Sequence, residues 1–565
     1  GALAQINPST ATVTRRVTVG YRPSGLAISA GGAWIGVRAA GPSHRGGTLK
    51  LLNPSPAFAS IDPAGPIALQ PTTLLGMTND GLVTFKHVGG SDGTALVPDL
   101  ATSLPTPFDG GRTYTFTMRN GIRYSTGQPV RADDVRASIE RLFRLGSPGT
   151  GFYNDILGSG GCRPTRCRLG RGIVTDDRAG TVTFHLISPD PEFLYKLSLP
   201  FAYVLPRGSP IRDTGTHPLP ATGPYMIASY RPGHELRLIR NPDFHEWSNA
   251  AQPDGYANAI IWELAVSPDR AVAAVEHGRA DWLLDYGALP PARRNAAQIG
   301  FAGQLHVNPA LQTDYVVLNV RVRPFDDIRV RRAVNFALNR ASAVQLYGGA
   351  QVAQATCQIL PPQMPGYQRY CPYTSHARPD GQWSAPDLAR GRRLVAASGT
   401  RGMTVAVLDT PEPIFRGEGQ LVVTALRRLG YRATLQIVTD AQFLHTAANP
   451  RNRIQVISGG WAADYPAASD FIALKLSCHS IATGNNPGRF CDPAIDRQIV
   501  KAESRQLDRP QQAVRLWAAL DRELVDRAVW IPLVTPKLTD LVSRRVGNYQ
   551  YHPLWGPLID QFWVR

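Results

Sequence analysis

The chain has 565 residues, of which 43% are apolar and 18% are charged, and its formal net charge is +17. This composition allows several hydrophobic cores and excludes a disordered chain, and no apolar run reaches the roughly 18 residues of a membrane-spanning helix. The basic residues are spread along the chain and interleaved with acidic ones, as in residues 321–332, so the charge favours a solvated basic surface over a nucleic-acid-binding patch.

The first 45 residues differ from the rest. Three β-type runs, at residues 12–19, 26–29 and 33–37, alternate with Asn, Pro and Gly turn residues and predict a small set of strands. Their order resembles one blade of the YVTN-type β-propeller repeats, yet a repeat architecture needs about three or more neighbouring units. The segment is therefore interpreted either as the last blade of a longer protein or as an N-terminal hairpin packed on the main domain.

The six cysteines fall into three close pairs, which predict local disulfides and therefore an oxidising compartment outside the cytosol. A metal site is disfavoured because no C-x-x-C motif occurs, and buried free thiols in a cytosolic protein are the remaining alternative. Since the chain begins at Gly1 without Met or an apolar signal region, we expect an export signal to have been removed or to lie upstream. The predicted pairs are Cys162 with Cys167, Cys357 with Cys371, and Cys478 with Cys491.

Helices and strands alternate after residue 45. A helix capped by Asp327 is predicted from an apolar stripe at one helical face, and a second helix is predicted from about Ala132. Strand-like runs lie between such helices, and this alternation is typical of α/β lobes. The stripe of the first helix consists of Val330, Ala333, Val334, Ala337 and Leu338, that of the second of Val135, Ile139, Leu142 and Phe143, and the strands are predicted at residues 114–118, 181–186, 315–319 and 454–458.

Five runs in a fixed order resemble signatures of the family 5 extracellular solute-binding proteins, the dipeptide, oligopeptide and nickel receptors of ABC importers. Turn glycines and a core stripe explain many of these residues, so the runs report the scaffold more than the ligand. The runs are YTFTMRNGIRYSTGQPVRADDVRASIERL (114–142), ATGPYMIASYRPGHELRLIRNPDF (221–244), VEHGRADW (275–282), LNVRVRPFDDIRVRRAVNFALNR (318–340) and LPPQMPGY (360–367).

The resemblance implies a two-lobed α/β clamp of the type II periplasmic-binding-protein class, with a hinge where the chain crosses twice between lobes. The first lobe is expected to comprise residues 46–305 and 535–565, and the second residues 306–534, after the β segment of residues 1–45. In such clamps a ligand that touches both lobes stabilises the closed form by its differential affinity.

The segment GGWAADYPAASDFI, residues 459–472, is similar to a cleft-lining segment of the peptide-binding members. By that resemblance, Asp464 would bind the ligand's α-ammonium group, and the backbone of Gly460 and Ala462 would pair with an extended peptide. Trp461 and Tyr465 would form apolar walls with polar tips. A strand end followed by a turn, with Asp464 as a simple cap, is the structural alternative.

We therefore expect an extracytoplasmic, monomeric protein that captures a small ligand, a peptide, and passes it to the permease of an ABC importer. No catalytic residue, cofactor, metal or nucleic acid is expected, because the hydrolase, zinc-protease and nucleotide-binding motifs are missing. Contact with a membrane is expected only through an anchor or a partner. The alternatives are a ligand-sensing module of a larger membrane-bound regulator and a binding protein for a metal chelate or sugar.

Overall fold

The structure is a computed structural model that describes residues 44–66, 69–285, 299–301, 303–449, 451–506 and 508–564, together with four earlier strands. The strands are β1 Ala2–Asn7, β2 Thr12–Thr18, β3 Tyr21–Ser29, β4 Gly32–Arg38, β5 Thr48–Leu52, β6 Val83–Phe85, β7 Leu96–Pro98, β8 Thr113–Thr117, β9 Ile173–Asp176, β10 Thr181–His185, β11 Tyr225–Arg231, β12 Glu235–Arg240, β13 Ala259–Glu263, β14 Trp282–Asp285, β15 Leu305–Pro309, β16 Gln312–Leu318, β17 Ala353–Ala355, β18 Thr404–Asp409, β19 Arg432–Ile437, β20 Val456–Ala462, β21 Trp530–Val542, β22 Val546–Gly547, β23 Tyr551–His552, β24 Gly556–Pro557 and β25 Trp563–Val564.

The helices lie between these strands, as the alternating pattern predicts. They are α1 Leu69–Thr78, α2 Ala132–Leu145, α3 Phe193–Leu197, α4 Pro268–Glu276, α5 Ile328–Ala337, α6 Arg340–Leu346, α7 Leu388–Ser398, α8 Pro413–Leu429, α9 Asp440–Ala448, α10 Ile472–Leu476, α11 His479–Ala482, α12 Pro493–Glu503 and α13 Pro510–Asp526. Within the described ranges, none of them combines the length and the apolar character that crossing a membrane requires.

Helices α2 and α5 begin where the sequence predicts. Asp327 caps α5 by accepting the backbone N–H of Arg329 at 2.8 Å, and the predicted stripe on this helix is buried. Helix α2 likewise buries Val135 and Ile139 on one face. Each helix thus follows from a local apolar period of 3.6 residues.

Strand β21 connects the two lobes of the fold. The largest sheet has 12 strands in the order β11-β12-β13-β5-β14-β21-β16-β20-β18-β19, with β15 and β17 also paired to β21. Residues 530–534 of β21 pair with β16, whereas residues 539–542 pair with β14. One continuous strand therefore belongs to the sheets of both lobes.

The chain crosses between the lobes a second time at Ala310 and Leu311. Strand β15 before this point pairs with residues 537–541 of β21, and β16 after it pairs with residues 530–534. The predicted boundaries, at 305/306 and 534/535, lie near the two crossings. The assignment of every residue to a lobe stays a prediction.

The N-terminal strands differ from the propeller resemblance. Strands β1 and β2 form one antiparallel pair, and β3 and β4 form another, so their described backbone makes two separate two-stranded sheets. A propeller blade is a single four-stranded sheet, and the resemblance is therefore not supported. A small β segment before the main domain is what remains. Residues 8–11, 19–20, 30–31 and 39–43, which hold most of the predicted turns, lie outside the described residues.

The three predicted disulfides are confirmed. Each pair of sulfur atoms lies within bonding distance, and no cysteine of the chain is free. All three bridges close short loops, with sequence separations of 5, 14 and 13 residues. They are thus local staples that tie loops within a lobe.

A buried ion pair ties the loop after β5 to helix α2. Arg141 donates to both carboxylate oxygens of Asp62, at 2.8 and 2.6 Å, and the two side chains are 3% and 0% exposed. Burial alone would raise the pKa of Asp62, but the bonds from Arg141 hold it below its usual value. Removing one member of such a pair leaves an unpaired buried charge.

We therefore predict that Arg141→Met lowers the free energy of unfolding by about 3–5 kcal/mol, measured by urea denaturation. Arg112→Met is the matched control, because Arg112 pairs with Asp109 at 2.9 Å on the exposed surface. Its loss should stay within about 1 kcal/mol. Equal losses in the two variants would contradict a special role for the buried pair.

Candidate functional site

Strand β20 carries the predicted site. It pairs antiparallel with β16, which places Gly460 opposite Asp314 and Ala462 opposite Gln312. The strand predicted at residues 454–458 is found at residues 456–462. It ends later than predicted because it continues through two glycines, which ordinarily weaken a strand. Glycine at position 460 leaves room for the carboxylate of Asp314, which a Cβ there would displace.

One edge of this part of β20 is open. In an antiparallel pair, every second residue directs its N–H and C=O groups toward the partner strand. Ala463 is one of these residues, because its amide donates to the carbonyl of Leu311 at 2.8 Å. The N–H and C=O groups of Ala462 and Gly460 therefore point away from β16. On that side, within the described part of the chain, β18 pairs with β20 only at residues 456–457. The backbone of Gly460 and Ala462 is thus placed to pair with an added strand.

The open edge borders a cavity of about 310 Å³ between the lobes. Ala462 and Asp464 line it from the second lobe, and Phe85 and Leu199 line it from the first. Leu311 belongs to the crossing segment and forms part of the floor. The cavity thus has an apolar wall opposite a carboxyl group.

Asp464 is held in place by Asp470, whose side chain is fully buried. One oxygen of Asp470 accepts the backbone N–H of Asp464 at 2.9 Å and the indole N–H of Trp461 at 3.2 Å. The ammonium of Lys475 lies 3.4 Å from the centroid of the Trp461 ring, in a cation–π contact. Asp470 therefore orients the indole of Trp461 and holds the backbone at Asp464 in place.

The same cluster sets the protonation of Asp464. Burial raises the pKa of Asp464 to about 6, and the charge of Lys475 opposes that rise. Burial also lowers the pKa of Lys475 to about 8, although the charges of Asp470 and Asp464 act in the other direction. Asp464 is consequently ionised at neutral pH and loses its charge in mildly acidic solution.

Tyr465 lies in a contact between the lobes and not in the wall of the cavity. Its hydroxyl donates to Glu192 at 3.0 Å, and its ring stacks on Tyr195 with centroids 6.0 Å apart. Tyr465 is 6% exposed. The prediction of an apolar wall does not describe this position, because the phenol finds a buried acceptor and a stacking partner in the first lobe.

Glu192 collects further bonds from the second lobe. Ser469 Oγ donates to it, and so does Gln506 Nε2 at 3.0 Å. Burial raises the pKa of Glu192, and these donors oppose the rise. This buried carboxyl therefore connects the first lobe to three side chains of the second.

A second, wider cavity of about 460 Å³ continues along the crossing segments. It shares Tyr551 and Pro553 with the first cavity. The described residues that line either cavity include no Lys or Arg, so neither supplies a cation for a ligand's carboxylate. The second cavity is lined by four amide side chains, those of Asn308, Gln363, Asn548 and Gln550.

Sequence reasoning did not assign Asp470, Lys475 or Glu192. Asp470 lies inside the cleft-lining segment 459–472, and Lys475, one of few lysines in the chain, follows that segment closely. Both residues could therefore have been found from the local sequence. Glu192 carried none, because its partner Tyr465 is 273 residues away and the contact exists only where the lobes meet. Across the described ranges, no group of three or more His, Cys, Asp or Glu side chains is arranged to hold a metal ion.

Comparisons with known proteins agree with this architecture. The family model of bacterial extracellular solute-binding proteins, family 5 middle, matches residues 95–482. The probable di/tripeptide-binding protein 5 of Pseudomonas aeruginosa (strain UCBPP-PA14) is 26% identical over 480 residues, covering 81% of this chain and 85% of that protein. The dipeptide-binding protein of Escherichia coli (strain K12) is 24% identical, covering 84% and 86%.

Solved structures show the same fold. The clavulanic acid biosynthesis oligopeptide binding protein 2 superposes with a TM-score of 0.81 at 26% identity, covering 93% of this chain and 96% of that chain. The periplasmic binding protein DppA of Helicobacter pylori, in complex with the peptide STSA, gives 0.68 at 21% identity, covering 92% and 98%. The predicted two-lobed fold is confirmed.

The family model covers more than half of the chain, and the five sequence runs that resemble the family signatures all lie within the matched residues. Its members are binding proteins, which confirms the prediction that the chain is not an enzyme. The chain therefore belongs to the bacterial extracellular solute-binding proteins of family 5.

Proposed function

We propose that this protein captures a peptide between its two lobes and delivers it to the permease of an ABC importer. The observation that carries the proposal is the placement of the Asp464 carboxyl group and the open edge of β20 at one cavity between the lobes. The relatives named above are di/tripeptide-, dipeptide- and oligopeptide-binding proteins, which supports a peptide as the ligand.

In this proposal Asp464 binds the α-ammonium group of the peptide. A buried carboxylate gains most from a charged donor, and a charge-assisted hydrogen bond is stronger than a neutral one. The outward N–H and C=O groups of Gly460 and Ala462 then pair with the peptide backbone as a strand would. Backbone pairing does not depend on side-chain identity, so the same edge accepts many sequences.

Closure around the ligand is the transport signal in this proposal. Residues 46–305 and 535–565 form one lobe and residues 306–534 the other, with the hinge at the two crossings through β21 and through Ala310 and Leu311. Bonds from Tyr465, Ser469 and Gln506 to Glu192 stabilise the closed form. We place the protein, as a monomer, on the outer side of the cytoplasmic membrane, where an importer permease reads the closed form.

The first test replaces the charge of Asp464. Asp464→Asn should weaken binding of a free peptide by about 2–4 kcal/mol, because a buried ammonium loses its counter-charge. That loss corresponds to about thirtyfold to a thousandfold in Kd, measured by calorimetry. Asp440→Asn, at an exposed carboxylate of helix α9, is the control and should bind as the wild type does. Unchanged affinity in Asp464→Asn would remove this carboxylate from the site.

Peptide affinity should also depend on pH. The ionised form of Asp464 binds the ammonium, and its pKa is about 6 in the free protein, so affinity is retained above that value and falls below it. The fall approaches tenfold per pH unit, while the peptide ammonium stays protonated throughout this range because its pKa is about 8. The weaker binding by Asp464→Asn should change little between about pH 7 and pH 5. An equally steep fall in that variant would assign the effect to another group.

The contact at Glu192 should bias the lobes toward closure. Glu192→Ala leaves the Tyr465 hydroxyl and the Gln506 amide without their acceptor, so the ligand-free protein should open, which X-ray scattering would record as a larger radius of gyration. Glu192→Gln keeps the shape and one acceptor oxygen and should give an intermediate effect. Identical scattering from the wild type and Glu192→Ala would exclude a role in closure.

A further inference from the structure

Four strands of the second lobe meet at the end of the sheet that lies away from the two cavities described above. Strand β16 ends there opposite the first residue of β20, Val456, and the parallel strands β18 and β19 both begin there. Gln455 Nε2 donates to the carbonyl of Arg323 at 2.8 Å and to that of Thr404 at 3.3 Å. These bonds tie the strand ends together, so the loops at this end of the lobe form one continuous surface.

This end of the second lobe carries a group of exposed arginines, which we call the basic pole. Two of them follow β16, one precedes β18, one starts β19 and two precede β20. Residues 319–327, 399–403 and 449–455, the loops that carry most of them, contain only two acids, Asp326 and Asp327, and Asp327 caps α5. The arginines of the basic pole are Arg321, Arg323, Arg401, Arg432, Arg451 and Arg453.

The guanidinium groups of the basic pole have no acidic partner among the residues that the structure describes. Within those residues none of the six forms an ion pair, and only Arg321 uses its guanidinium in a hydrogen bond, to the carbonyl of Arg489 at 3.1 Å. Elsewhere exposed arginines are paired, as Arg231 is with Glu235 at 2.7 Å. Like charges gathered at one end of a lobe repel one another, and an external anion relieves that repulsion.

Phosphate is the anion that such a surface fits. A guanidinium can bind two phosphate oxygens at once through its planar fork of N–H donors. The arginines of the basic pole line neither of the two cavities between the lobes, nor the small cavity at Asn452 and Gln455. They stand on an outward surface drawn from four strand ends, which suits an extended array of phosphates better than one small ion.

We propose that the basic pole docks on an anionic phospholipid membrane. This inference rests on the location proposed above, on the outer side of the cytoplasmic membrane, where lipid headgroups are the phosphate array that a protein beside a permease meets. Each Lys or Arg near an anionic membrane adds to the affinity, over a Debye length of about 8 Å at physiological salt. Neighbouring strands lie about 4.8 Å apart, so the arginines at their ends act on one patch of membrane.

Docking by this end of the lobe leaves the ligand site accessible. Strand β20 runs from Val456 at the basic pole to Ala462 at the cavity, and a strand of that length spans about 20 Å. The cavity therefore stays clear of the lipid. The sequence predicts membrane contact only through an anchor or a partner, and the basic pole adds a direct contact that orients the clamp on the membrane.

Vesicle flotation with the full chain tests the docking. The protein should bind vesicles of equal parts phosphatidylglycerol and phosphatidylcholine at least about tenfold more tightly than vesicles of phosphatidylcholine alone. Raising the ionic strength from about 0.01 M to about 1 M shortens the Debye length from about 30 Å to about 3 Å and should release the protein. Equal binding to the two kinds of vesicle, or binding that salt does not change, would overturn the proposal.

Paired variants locate the contact. Arg323→Gln with Arg453→Gln removes two guanidinium groups that make no hydrogen bond within the described residues, so the fold should be kept while affinity for the anionic vesicles falls about tenfold to thirtyfold. Arg416→Gln with Arg515→Gln is the control, because it removes the same charge from exposed positions of the same lobe. Those positions lie in the first halves of α8 and α13, helices whose last residues approach the basic pole. The control should lose less than about twofold.

Further outcomes decide what the surface binds. Arg323→Lys with Arg453→Lys keeps the charge and should bind the vesicles nearly as the wild type does. Equal losses in the glutamine variant of the basic pole and in the control would assign binding to net charge alone and overturn the inference. Tighter binding to polyglutamate than to vesicles, lost in the same variant, would assign the surface to an acidic protein instead. Peptide affinity of that variant should match the wild type, which separates failure here from failure of peptide capture.

Discussion

The hydrogen-bonded ladder along β21 is the constraint on which the rest of the structure depends. Because residues 530–534 pair with one sheet and residues 539–542 with the other, the two lobes share a single strand. The second crossing, at Ala310 and Leu311, runs antiparallel beside it. A change in the angle between the lobes bends these two segments, beside which β17 also pairs with residues 534–536 of β21. The cavity containing Asp464 opens beside this junction, so a small bend changes its width.

Buried carboxyl groups near the junction share one physical problem. Asp464 and Glu192 each lose hydration on burial, and each is stabilised by donors on another part of the molecule or on a ligand. Glu192 finds its donors when the lobes meet. Asp464 faces the cavity, where the distant charge of Lys475 satisfies it only in part. In the proposed function, closure and ligand binding are therefore coupled through the same electrostatic requirement.

The sequence predicted the features that depend on neighbouring residues. The apolar stripe of α5, its cap at Asp327 and the three cysteine pairs are all local, and each is confirmed. The extent of β20 was not predicted, because two glycines normally interrupt a strand. Here a Cβ at position 460 would overlap the carboxylate of Asp314 on the next strand, and a Cβ at position 459 would crowd the ring of Tyr315. Glu192 bonds to residues that are distant in the sequence, and no local sequence pattern predicts such contacts.

The propeller resemblance failed for a related reason. A single unit of about 40 residues contains enough turn and strand residues to imitate a blade, but a blade is defined by pairing of four strands, which a local pattern does not encode. The runs shared with the binding-protein family were more informative because five of them occur in order. Their order constrains how distant segments meet, whereas a single run constrains only itself.

A strongly basic molecule thus carries acidic groups along its cleft. The net charge of +17 comes from the excess of Lys and Arg over Asp and Glu, and the field of exposed charges decays within about 8 Å at physiological ionic strength. Carboxyls buried between the lobes are screened much less and act over short distances. In the proposed function, recognition in the cleft therefore follows the local charge of Asp464 rather than the sign of the whole surface. In the proposed function, a cationic ligand group is repelled only weakly on approach and is stabilised once it meets the Asp464 carboxylate in the cavity.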